Sequence, residues 1–146
     1  MTPKQIMRAV NRLEDQEGIN AAAVVIGAAV KRGAAGTKAD ALKRISKNRG
    51  ETLDEAKTYY GDTDWYLGVL IHAGSVDSQF TNADLILTDG YSFEMVKTIT
   101  ISPSEIKWET AAVLDPETME FIGDPDEDNL RAAAEASSTM RSRRRY

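Results

Sequence analysis

The chain of 146 residues contains no cysteine, one histidine, three phenylalanines and four prolines. Without cysteine there is no disulfide, no thiolate nucleophile and no thiolate-ligated metal. The lone imidazole, His72, closes an apolar segment, and no nucleophile or second ligand is spaced around it. It therefore reads as structural. No apolar run approaches the roughly 20 residues that a bilayer span needs. Residues 1–18 are polar and periodic, unlike a signal peptide. These points predict a cytoplasmic or virion protein that is not secreted and makes no membrane contact.

The longest stretch without charge is Ile19 to Val30, stopped by Lys31-Arg32-Gly33. Its small and β-branched residues read as a buried helix around which the other N-terminal helices pack. Thr2-Pro3 opens a helix before it, with Ile6, Val10 and Leu13 on one face and Gly18 as its stop. Thr37 caps a third helix to about Asn48, ended by Gly50. Thr52-Leu53-Asp54-Glu55 is a capping box for a fourth, ended by Gly61. Asp62 or Thr63 starts a fifth, running through Trp65 and Ile71 to Gly74.

The apolar period then shortens. Residues 84–88 and 91–101 flank Asp89-Gly90, the pair that suits a two-residue hairpin turn. In that register Ile86 faces Phe93, and Tyr91, Phe93, Met95, Ile99 and Ile101 share one side. Ile106 to Leu114 alternate as a third strand, and Asp115-Pro116 turns into Met119-Glu120-Phe121-Ile122. The predicted fold class is α+β in a single domain. About five helices fill residues 1–74, a four-strand antiparallel meander fills 84–123, and a C-terminal helix with a basic tail fills 124–146.

Three motif imitations fail on inspection. Asp124, Asp126, Asp128 and Glu135 copy the oxygen spacing of a calcium loop, but Asn129 holds the position that needs glycine. Their better role is to cap the last helix. Gly33-Ala34-Ala35-Gly36-Thr37-Lys38 has the wrong order for a phosphate loop and follows a predicted helix. The many carboxylate pairs lie in an acidic segment and read as a solvated face. No cofactor is called for, and no enzyme is predicted.

Charge distribution is the more informative signal. Residues 1–50 carry ten bases and four acids, residues 51–130 three and eighteen, and residues 131–146 five and one. The ends are therefore cationic and the middle anionic. Opposed blocks favour head-to-tail self-association or a polyanionic partner. Two basic elements are the candidate contact residues. One is the third helix, with Lys38, Lys43, Arg44 and Lys47 and with Arg49 just beyond. The other is the tail, with Arg141, Arg143, Arg144 and Arg145. The expected function is a non-enzymatic assembly subunit of a homo-oligomer or viral-type particle, such as a head–tail connector component. Its partners would be further copies of itself and other assembly proteins. The alternative is a DNA-binding adaptor, such as the recognition subunit of a packaging motor, with the second and third helices forming a helix-turn-helix pair.

Overall fold

A computed structural model describes residues 2–33, 36–60, 64–90 and 92–144, the last seven of these as backbone only. Helix α1 (Pro3–Glu17) is followed by strand β1 (Val25–Val30), helices α2 (Lys38–Arg49) and α3 (Leu53–Tyr60), and strands β2 (Tyr66–His72), β3 (Thr81–Thr88), β4 (Phe93–Ile101), β5 (Ile106–Leu114) and β6 (Phe121–Gly123). Helix α4 (Glu127–Arg144) ends the described chain. All strand pairs are antiparallel, in the order β4-β3-β2-β1-β5-β6.

The fold is α+β with a C-terminal helix, but the five-helix, four-strand expectation is wrong in three places. First, the uncharged stretch is a strand. Val24, Val25, Ile26 and Val30 are β-branched, and Gly27 is costly inside a helix. A short apolar run carries no period that separates a strand from a buried helix. Ahead of the strand, the Asn20 side chain accepts from the Ala22 N–H in a turn that leads into β1. Second, the segment read as a fifth helix is β2, paired with β1 from Val25↔His72 to Ala29↔Gly68. Its proposed starts, Asp62 and Thr63, and the Gly61 stop before them lie outside the described residues. Third, the sheet is no meander of residues 84–123. Strand β5 leaves β4 and pairs with β1, on the far side of β2 and β3.

The hairpin register also differs. Thr88 pairs with Phe93 and Ile86 with Met95, so the loop has four residues, not two. The Asp89 side chain accepts from the Ser92 N–H (2.8 Å) and the Thr88 hydroxyl donates to the Ser92 carbonyl (2.7 Å), which satisfies the wider turn. A bulge opposite Leu85 and Ile86 then breaks the single-face series. Val96 is buried, Met95 is 46% exposed, and Ile101 returns to the core. Tyr91 lies outside the described residues.

The sheet must be rolled. From Ile101 to Ile106 the chain takes five steps, reaching at most about 18 Å. Strands β4 and β5 lie four inter-strand spacings apart in the order, roughly 19 Å if flat, and their joined ends sit at opposite ends of the sheet. Only a strongly coiled sheet brings those corners together, as the native twist favours. The junction is held where the Lys31 N–H donates to the Glu105 carbonyl (3.0 Å) and the Trp108 indole N–H to the Pro103 carbonyl (2.9 Å).

The inner face of this roll shares one core with α1, α2, α3 and α4. Ile26, Val69, Ile71, Leu85, Leu87 and Val113 meet Ile6 and Leu13 of α1, Ile45 of α2, Tyr60 of α3 and Leu130 of α4. The helix caps fall where the local chemistry puts them. Thr2 with Gln5 and Thr37 with Asp40 form capping boxes, and Gly18 and Gly50 close their helices in the left-handed region. Thr52 caps α3 with Glu55, and Asp126 caps α4 by accepting from the Asn129 N–H (2.9 Å). Arg12 clamps α1 to α4 through Glu127, and that hydrogen bond holds the Glu127 carboxyl below the usual range.

Candidate association surface

The outer face of the sheet is floored by absent side chains. At Gly27 a β-carbon would collide with the Phe121 ring, which lies across it, and would sit 3.6 Å from Leu70. At Gly68 it would sit 3.1 Å from the Ala28 carbonyl and 3.5 Å from Ile86. Ala29 and Ala112 continue this low floor, and Tyr66, Thr110 and Phe121 wall it. The trough encloses about 200 Å³ and opens, past Ile86 and Thr88, into a hollow of about 370 Å³ between Phe93 and Met119. Among the described residues, no helix residue lines either space. Tyr66, Phe121 and Met119 remain 48%, 44% and 50% exposed. An antiparallel sheet usually turns its polar side to water; this one presents aromatic and thioether groups there.

Met119 reaches the adjoining hollow from the turn that joins β5 to β6. The Asp115 carboxylate accepts from the N–H groups of Glu117 (2.8 Å) and Thr118 (3.3 Å), and the Asp115 carbonyl accepts from Met119 (2.9 Å). This tight turn leaves Met119 at φ 62°, the one non-glycine residue with positive φ among the described residues. An L side chain held there is strained, so the surrounding turn must enforce it.

Beyond Tyr66 lies a larger concavity of about 630 Å³. Its apolar wall is Ala29, Val30, Leu67 and Tyr66, and Lys31, Arg32, Lys38 and Lys107 stand around it. The end of β1, the start of α2 and the start of β5 thus bring four cations together, and no acidic residue among the described residues lines the space.

The cations predicted from the sequence are dispersed. Lys38 is half-buried and lines that concavity, while Lys43, Arg44 and Lys47 lie exposed along α2. Arg49 is engaged internally. Its guanidinium donates to the Tyr60 hydroxyl and pairs with Glu94 at 3.0 Å, tying α2 to α3 and β4. Tyr60 is 1% exposed and donates to Glu94 (3.1 Å). Its burial first, and the Glu94 charge second, push its pKa from 10.0 up to about 12. Arg141, Arg143 and Arg144 fall on α4, but their side chains, and all of Arg145, lie outside the described residues. The helix-turn-helix pair does not form, because β1 occupies the place of its first helix.

His72 ends β2, exposed, with Nδ1 3.3 Å from the Ala23 carbonyl. Among the described residues no three His, Cys, Asp or Glu side chains converge. No helix among them is long and apolar enough to cross a membrane. Reading the sequence missed Gly27, Gly68, Tyr66, Phe121, Met119, Lys31, Arg32 and Lys107. The one available signal was Phe121-Ile122, two large apolar neighbours that cannot both face inward from a strand. No protein-family model matches this chain, and no curated protein or solved structure is significantly similar to it.

Proposed function

We propose that this chain is a non-enzymatic assembly subunit that works as one copy among several, in a ring or viral-type particle such as a head–tail connector. The observation that carries this reading is the outer trough. Tyr66 and Phe121 wall a glycine- and alanine-floored surface, Met119 borders the hollow beside it, and no helix residue among the described residues lines either. Exposed apolar surface of this kind is stabilised when another protein surface removes it from water. The separation of cationic and anionic blocks supports the same reading, since unlike patches of successive copies attract.

A second reading, contact with DNA, is favoured by the solvent-facing row Lys43, Arg44 and Lys47 on α2. Native mass measurement across a dilution series, at low and high salt and with and without duplex DNA, separates the two. A multimer formed by the protein alone is the expected result. A monomer at high concentration and low salt overturns the assembly reading, and a mass shift that needs DNA favours the second.

A further inference from the structure

We infer that the turn between β5 and β6 is a plug and that the cationic concavity beside Tyr66 is its socket on a second copy of this chain. This rests on the assembly reading and names the surfaces it would use. The plug, this turn with the start of β6, carries Met119 and Ile122, 50% and 42% exposed, with Glu117 and Glu120 on either side of Met119 in the chain. It is therefore apolar at its tip and anionic at its flanks. The socket has the inverse design, an apolar wall of Val30, Leu67 and Tyr66 under a rim that includes Lys31, Arg32 and Lys107. At about 630 Å³ it has room for several side chains. The two are chemically matched in both their apolar and their charged parts.

They do not meet within one chain. No residue from 115 to 122 lines the socket, and Tyr66 stands between it and the trough where Phe121 rests. Joining them requires two copies, plug to socket. Such a contact is head-to-tail, leaving a free plug on one copy and a free socket on the other, and it propagates until a ring closes. The strained φ of Met119 fits a tip whose shape the turn imposes before binding, which lowers the ordering cost of association.

The test uses the full-length chain and two charge reversals at exposed positions, Lys107→Glu in the socket and Glu120→Lys in the plug. Each variant alone should associate at least about tenfold more weakly than the parent chain, while its thermal unfolding stays unchanged. Mixed one to one, the Lys107→Glu chain still offers an intact plug and the Glu120→Lys chain an intact socket. The two reversed positions are again opposite in sign to each other, so both kinds of contact form and the mixture should regain assembly with the two chains alternating, read by native mass spectrometry. Variants that assemble like the parent chain, or a mixture that does not regain assembly, would overturn the plug and socket. A parent chain that is monomeric throughout overturns the assembly reading beneath it.

Discussion

Along β2, Val69 and Ile71 point inward and are fully buried, whereas Tyr66 points outward at 48% exposure and Gly68 has no side chain at all. The same contrast recurs on β1, where Ile26 is buried in the core and its neighbour Gly27 is a seat for Phe121. The inner face is built from volume and the outer face from its absence. Volume gives stability by removing apolar area from water. Its absence gives shape, a trough into which something else can fit. Changes on the two faces should therefore report in different measurements.

The largest effect is expected on the inner side. Ile71→Ala empties a fully buried site opposite Ile26. It should cost about 3 kcal/mol in denaturant unfolding, from lost transfer energy and the cavity left behind. A loss under about 1 kcal/mol would mean that the inner face is not the core described.

Tyr60→Phe comes next, where α2 and α3 meet the edge strand β4. It removes the hydroxyl shared by Arg49 and Glu94 and should cost about 1–2 kcal/mol near neutral pH. The same phenol makes stability depend on alkali. Its folded pKa lies above its unfolded one, so its stabilising contribution is complete below pH 10 and fades as pH rises toward 12. The loss over that window is on the order of 2 kcal/mol and should vanish in Tyr60→Phe when the two unfolding profiles are subtracted.

The smallest effect on stability, and the most telling for the contrast, belongs to Gly27→Ala. The added methyl must push the Phe121 ring from its seat, and that ring is an exposed, movable end. Unfolding should change by less than about 1 kcal/mol. Self-association, followed by sedimentation, should weaken because the outer surface has changed shape. An equal loss in both would erase the distinction between the faces.

The helix ends were legible because capping is local. Thr2, Thr37 and Thr52 each settle their helix within three residues, and so do Gly18 and Gly50 at the opposite ends. Strands β1 and β2 were not legible, because what makes them strands lies far away. Ala29, for instance, donates its N–H to the hydroxyl of Thr110, 81 residues on. A run of alanine and valine carries no period from which to infer such a partner. The hairpin was found but misregistered, since Asp89-Gly90 is equally content in a longer turn closed by Ser92. The candidate surface was hidden for the same reason as β1. Glycines 27 and 68 mean nothing singly, and only the sheet brings Phe121 and Ile86 over them. Lys38 was found because charge is visible in any register, while Lys31 and Lys107 needed β1 and β5 to be neighbours.

The pairing of β1 with β5 sets the order in which the molecule can be completed during synthesis. Residues 25–30 leave the ribosome early, and β2, β3 and β4 can stack outward from one side of them. The other side of β1 has no strand to bond until residues 106–114 follow. The middle of the sheet is thus finished late, by a segment born after the rim at β4. A nascent chain that stops short of Ile106 carries an open seam through what will become its centre.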